Sequence, residues 1–116
     1  MSQRIGIGVS SFRRPREAIA VCRNILQAVA EFSTHDIHTL CAVDEEHPVG
    51  YEDVATTFGV MVAPNGGVAA NKNRLLRHFV ALDCDVVFLI EDDLPPLKAA
   101  VERALKSGEI GRQFPQ

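Results

Sequence analysis

The chain has 116 residues, of which 47% are hydrophobic and 23% are charged, and its formal net charge is −3. This length favours a single globular domain, the negative charge disfavours a general nucleic-acid binder, and no apolar run approaches the ~20 residues of a membrane-spanning helix. The spacing of Cys22, Cys41 and Cys84 indicates neither a disulfide framework nor a zinc site, so we expect core thiols in a cytoplasmic protein.

Apolar patterning predicts strands that alternate with helices along the chain. The predicted strands are residues 4–9, 37–43, 59–63 and 85–90. The predicted helices start at Pro15, span 52–58, run from 68 to 80 and span 97–105. The long helix from residue 68 has apolar residues at Leu75, Leu76, Phe79 and Val80, at helical spacing. This alternation predicts an α/β fold, a three-layer Rossmann-like open sheet of about four mainly parallel strands with helices on both faces. We expect one domain over residues 1–108 and a tail at 109–116.

Polar residues follow each predicted strand, where the ends of parallel strands share one edge of the sheet. The first strand is followed by Ser10 and Ser11, the second by Asp44, and the third by residues 64–67 with their paired glycines. Gly6 and Gly8 do not form a dinucleotide-binding fingerprint, because they lie inside the first strand and Ser11 stands at the third glycine position. All four strand ends are therefore expected to face one cleft.

The fourth predicted strand ends in the most conspicuous of these segments. Five apolar residues, 86–90, are typical of a central strand buried on both faces, and Glu91, Asp92 and Asp93 follow at once. Three adjacent carboxylates suit a hard cation such as Mg²⁺ or Mn²⁺. A solvated acidic turn that caps the next helix is the alternative, and the pattern alone does not decide between them.

Four segments in this order resemble the family 2-like glycosyltransferases with the GT-A fold. Residues 9–17, V-S-S-F-R-R-P-R-E, resemble the opening P-T-Y-N-R-P-E of that family, and Val43-Asp44 resembles the V-D-D that ends its second strand. Residues 65–73, N-G-G-V-A-A-N-K-N, resemble its N-x-G-x-A-x-A-R-N segment, and residues 88–93 resemble the strand that leads into its DxD metal motif. The resemblance covers roughly residues 4–97. Members of the family are about twice as long, and their second half carries the acceptor site and the general base.

The resemblance implies a site for a nucleotide-sugar, with UDP as the expected nucleotide, and a Mn²⁺ or Mg²⁺ ion. The implied substrate-binding residues are Ser11, Phe12, Arg14, Asp44, Gly66, Gly67, Lys72 and Asp92. The implied metal ligands are Glu91 and Asp93, with Asp93 contacting the ion directly. No general base is implied for the acceptor hydroxyl, since Asp53, Glu102 and Glu109 offer only their charge.

Each implied role has a plainer alternative. Asp44 would accept hydrogen bonds from uracil or ribose, or it is a solvated turn residue; Phe12 would stack on the base, or it is a core aromatic. Lys72 would neutralise the diphosphate, or it is a solvated helix residue. Gly66 and Gly67 would offer free amides to an anion at a helix N-terminus, or they form an ordinary turn.

These expectations leave three functions open. The first is a glycosyltransferase, or its nucleotide-binding half, with an unknown acceptor. The second is a non-catalytic or truncated nucleotide-binding module that needs a partner chain, and a homo-oligomer paired through the sheet edge beside the fourth strand is one form of this alternative. The third, a receiver-like phosphoryl-transfer domain, is disfavoured because its acid pair belongs after the first strand, where this chain has Ser10 and Ser11.

Overall fold

The computed structural model describes residues 3–31, 35–63 and 66–92, in which four strands alternate with three helices. The strands are β1 (Arg4–Ser11), β2 (Asp36–Val43), β3 (Val60–Val62) and β4 (Val86–Glu91). The helices are α1 (Pro15–Val29), α2 (Glu52–Thr57) and α3 (Gly67–Ala81). These are the elements predicted from the sequence up to residue 91, whereas the predicted helix 97–105 and tail 109–116 lie outside the described residues. β1 extends through Ser10 and Ser11, which were predicted to form a turn.

The four strands form one parallel sheet in the order β3-β2-β1-β4, which confirms the predicted α/β class. The chain moves outward from β1 to β2 and β3 and then returns to place β4 on the other side of β1. This reversal is a topological switch point, the position where open α/β sheets bind ligands beyond the carboxyl ends of their strands. Within the described ranges β4 pairs with β1 alone, so the prediction of a central strand is not met there.

Helices cover both faces of the sheet, because alternate residues of each strand point to opposite sides. On one face, Ile5, Ile7 and Val9 of β1 pack in a core with apolar residues of α1 and α2, among them Cys22, and with Cys41 of β2. On the other face, α3 places Leu75 and Phe79 against Ala42, Val87 and their neighbours. Leu76 and Val80 lie outside this buried face and are exposed, although their spacing suggested burial.

The two glycines of β1 allow α3 to approach the sheet closely. A Cβ atom at Gly6 would lie 2.5 Å from the ring of Phe79, and one at Gly8 would lie 3.0 Å from a methyl group of Leu75. Real Cβ atoms essentially never approach other atoms as closely as the Gly6 position would require. Gly6 and Gly8 therefore serve packing, in agreement with the rejection of a dinucleotide fingerprint.

No helix in the described ranges combines the length and the apolar character that crossing a membrane requires. The longest two, α1 and α3, have 15 residues each.

Candidate functional site

A pocket of about 210 Å³ lies at the switch point, beyond the carboxyl ends of β1, β2 and β4. Its walls are formed by Ser10, Ser11, Phe12, Arg14, Asp44, Val68, Asn71, Glu91 and Asp92. The strand register brings these residues together, because Ser11 is the partner of Val43 in β2 and Ser10 is the partner of Glu91 in β4. The structure thus brings six of the predicted site residues to one pocket, and Gly66, Gly67 and Lys72 are hydrogen-bonded to two of its wall residues.

Asp44 directly follows β2 and caps the N-terminus of α3. Its carboxylate accepts the backbone amides of Gly66 at 2.8 Å and Gly67 at 3.0 Å, and its side chain is almost completely buried. A carboxylate is favoured at this end of a helix by the unpaired amides and by the helix dipole. The sequence pattern suggested that these two amides are free for an anion, whereas in the structure both donate to Asp44. Asp44 is neither a solvated turn residue nor wholly available to a ligand, although a carboxylate has further lone pairs to offer.

Two residues of α3 that the sequence did not single out complete this wall. Asn71 is buried and donates from Nδ2 to the carbonyl oxygen of Ala42 at 2.8 Å. Its Oδ1 accepts from Nη1 of Arg74 at 2.8 Å, and Nη2 of Arg74 lies 3.9 Å from Oδ1 of Asp44. A Cβ at Gly66 would collide with this guanidinium and lie 2.8 Å from the Cβ of Ala70, so a larger residue there would force these neighbours to shift. Asn71 precedes Leu75 and Phe79 by four and eight residues, so helical spacing places it on the same buried face of α3. A polar residue on an apolar helix face is the feature of the sequence that could have identified Asn71.

Lys72 and Glu91 form an ion pair at the rim of the pocket. Nζ of Lys72 lies 2.7 Å from Oε1 of Glu91, and both side chains are partly exposed. The predicted cation and the predicted metal ligand are therefore partners of each other in this structure.

Ser11, Tyr51 and Asp92 form a buried chain of hydrogen bonds below the pocket. Oγ of Ser11 lies 2.6 Å from Oδ2 of Asp92 and 2.6 Å from the hydroxyl of Tyr51, which also accepts the Arg14 amide at 3.1 Å. Burial raises the pKa of the Tyr51 phenol above its ordinary value of 10.0, and its bonds with Ser11 and Arg14 offset only part of this shift. Tyr51 is thus a neutral phenol at physiological pH. It is the single tyrosine of the chain and lies in a loop 40 residues from Ser11, a separation that no local pattern would reveal.

Phe12 forms an exposed aromatic wall of the pocket. Its ring is 46% exposed, so the alternative of a core aromatic is wrong, and the guanidinium of Arg13 lies 4.9 Å from the ring centroid. Arg13 adopts a positive φ of 56°, and its amide donates to Oε2 of Glu45 at 2.9 Å. The exposed side chain of Val68 supplies a further apolar surface from α3.

A metal ion at this site would depend on a residue outside the described ranges. Among residues 3–31, 35–63 and 66–92, no group of three His, Cys, Asp or Glu side chains is placed to hold a metal ion. Glu91 and Asp92 contribute carboxylates at the end of β4, the oxygen chemistry that Mg²⁺ and Mn²⁺ prefer. Asp93, the predicted direct ligand, lies beyond the described residues. The carboxylates present fit part of the predicted metal site, which stays a prediction.

Comparison with protein-family models, with curated proteins and with solved structures finds no match to this chain. The case for a function consequently rests on the pocket and on the residues around it.

Proposed function

We propose that this chain binds a nucleotide-sugar, of the UDP-sugar class, and acts as a glycosyltransferase or as the nucleotide-binding half of one. The observation that carries the proposal is the pocket at the β1–β4 switch point, which brings Phe12, Asp44, Glu91 and Asp92 together. These residues come from three strand ends that are distant in the sequence. Their convergence is what a nucleotide site in an open α/β sheet requires.

The chemistry of the pocket suits the nucleoside end of such a ligand. The exposed ring of Phe12 offers a face on which a base can stack, and the carboxylates of Asp44 and Asp92 accept hydrogen bonds from base N–H groups and ribose hydroxyls. The volume of about 210 Å³ is below the roughly 300–1,000 Å³ of pockets that enclose a whole small ligand. The nucleoside would occupy the pocket while the diphosphate and sugar extend past its rim.

Cations at the rim support a place for the diphosphate. Arg14 lines the pocket, and Lys72 lies on the first turns of α3 at the same edge. A Mn²⁺ or Mg²⁺ ion held by Glu91 and Asp93 would stabilise negative charge on the departing nucleotide as a Lewis acid. The protein's own residues would orient the donor, while the base that activates the acceptor hydroxyl is not assigned to any residue.

Titration calorimetry with UDP, with and without Mn²⁺, tests this proposal. The parent chain is expected to bind UDP more tightly with the metal, and Phe12→Ala is expected to raise the Kd about tenfold by removing the stacking face. Val80→Ala provides the matched control, because Val80 is an exposed apolar residue that does not line the pocket. Absence of UDP binding by the parent chain under both conditions would overturn the proposal.

The ion pair between Lys72 and Glu91 favours a second candidate, a non-catalytic nucleotide-binding module that needs a partner chain. With Glu91 already neutralised at 2.7 Å by an internal cation, UDP binding would be independent of added metal. In the described part of the sheet β4 pairs only with β1, which would leave its other side for a partner strand. Metal-independent UDP binding without hydrolysis of UDP-glucose would support this candidate, and turnover by the purified chain would exclude it.

A further inference from the structure

The directions of the hydroxyl groups at the floor of the pocket follow from counting donors and acceptors. Oγ of Ser11 donates its single hydroxyl hydrogen to Oδ2 of Asp92, at 2.6 Å. Ser11 then has no hydrogen left for Tyr51, and the 2.6 Å contact between their oxygens requires Tyr51 to be the donor. The Tyr51 oxygen in turn accepts the Arg14 amide. The chain therefore runs in one direction, from the Arg14 amide through Tyr51 and Ser11 to Asp92.

Tyr51 is held in place by the residues packed around it. The Tyr51 side chain is 4% exposed and belongs to the core beneath α1 and α2. The preceding Gly50 has a φ of 92°, and a Cβ there would lie 3.0 Å from Pro15, the first residue of α1. The loop that carries Tyr51 is thus packed against the start of α1.

We infer that Tyr51 is a positioning residue of the pocket: the hydrogen bond that it donates holds the Ser11 oxygen in place while Asp92 accepts the Ser11 hydrogen, so that Ser11 offers a ligand an acceptor and never a donor. The ligand group seated over Ser11 must then bring its own hydrogen, as a ribose hydroxyl or a base N–H does, and a phosphate oxygen is excluded from this position. This specificity rests on the proposed function, whereas the hydroxyl order itself does not. Tyr51 acts on the ligand only through Ser11 and Asp92.

Tyr51→Phe tests the inference with two independent readouts. The first is hydrogen exchange of the Arg14 amide, followed by NMR without any nucleotide; losing its acceptor should accelerate exchange about tenfold or more. The second is calorimetry with UDP and with its 2′,3′-dideoxy analogue, which lacks the ribose hydroxyl donors. The parent chain should prefer UDP by about tenfold, and Tyr51→Phe should reduce this preference several-fold because the Ser11 oxygen loses the donated hydrogen bond that holds it in place.

Two further variants separate positioning from general stability. Thr39→Val is the control, because it also removes a hydroxyl hydrogen bond, the one that Oγ1 of Thr39 donates to the Phe58 carbonyl oxygen. Neither residue lines the pocket, so this variant should change neither the Arg14 exchange rate nor the nucleotide preference. Ser11→Ala should keep the Arg14 amide protected, since Tyr51 still accepts from it, while it lowers the preference for UDP. This variant keeps the inference testable if Tyr51→Phe does not fold.

The outcomes are distinguishable. Unchanged Arg14 exchange in a folded Tyr51→Phe protein would overturn the hydrogen bond from the Arg14 amide to Tyr51, and an unchanged nucleotide preference would overturn the positioning role. Failure of the parent chain to bind either nucleotide would overturn the proposed function and the ligand class assigned to Ser11. The Arg14 exchange result would still show in that case whether the Arg14 amide donates to Tyr51.

Discussion

Nζ of Lys72 lies 2.7 Å from Oε1 of Glu91, which joins the first half of α3 to the end of β4 across the rim of the pocket. Both side chains are partly exposed, at 33% and 41%, so solvent screens their attraction and its contribution to stability is small. The pair matters more for binding. An incoming diphosphate would compete with Glu91 for the ammonium, and an incoming cation would compete with Lys72 for the carboxylate.

Lys72→Met is expected to weaken UDP binding by about five- to tenfold, because the diphosphate loses a nearby point charge. The free energy of unfolding should change by no more than about 1 kcal/mol, as for other exposed ion pairs. Calorimetry and urea denaturation measure the two quantities separately. Arg77→Met is the matched control, since Arg77 is an exposed cation of the same helix that does not line the pocket. Equal UDP affinity for both variants would contradict a role of Lys72 in diphosphate binding.

Asp44→Ala is expected to lower the free energy of unfolding by about 1–3 kcal/mol, since two helix-terminal amides lose a buried, charged acceptor. Urea denaturation measures this change. Glu46→Ala is the control, because the Glu46 side chain lies in the same loop and is 74% exposed. This variant should change the free energy of unfolding by less than about 0.5 kcal/mol. A loss for Asp44→Ala as small as that of the control would show that the cap does not stabilise α3.

The order and type of the described elements could be predicted from the sequence because each has a clear period. Alternating apolar residues in β1 and the helical spacing in α1 leave little choice of structure, and the ends of parallel strands must share one edge. The same rule predicts that Asp44, Glu91 and Asp92 lie at one edge of the sheet, where the pocket is found. The residues at which β1 and β4 end are harder to predict from the sequence, since Ser10, Ser11 and Glu91 continue the strands with polar side chains.

The partners of the site residues could not be predicted, because hydrogen bonds between distant segments leave no period in a sequence. Asp44 bonds to amides 22 and 23 residues away, and Ser11 bonds to Asp92 across 81 residues. Residue type alone allowed Asp44 to be a ligand contact and Gly66 to be an open amide. Only the packing of α3 against β2 reveals that the two satisfy each other.

Gly6→Ala is expected to destabilise the fold by about 1–3 kcal/mol, because its Cβ would lie 2.5 Å from the Phe79 ring, which is completely buried. Gly8→Ala, with its nearest contact at 3.0 Å from a flexible leucine methyl group, should cost less. Thermal and urea unfolding of the two variants compare them directly. Adding Phe79→Leu to Gly6→Ala should cost less than the sum of the single changes, since the smaller side chain relieves the overlap. Strict additivity would show that the ring does not limit this position.

Stability is expected to depend on Asp36 at neutral pH and to lose that dependence in acid. The His38 imidazole and the Arg4 guanidinium lower the pKa of Asp36 below its ordinary value of 3.8, and Nε of Arg4 lies 3.0 Å from its Oδ2. Because the folded state lowers this pKa, the carboxylate stabilises the fold above the unfolded-state value of about 3.9, and the effect is lost as the pH falls through the lower folded-state value.

The urea midpoint of Asp36→Asn should therefore lie below that of the parent at about pH 6 and approach it near pH 2. High salt should narrow the difference at neutral pH, since the side chains of Asp36 and Arg4 are both about half exposed. Glu31→Gln is the control, because Glu31 is an exposed carboxylate for which no ion pair is found among the described residues. A difference between Asp36→Asn and the parent that persists undiminished at pH 2 would assign the effect to packing or to the backbone rather than to the charge of Asp36.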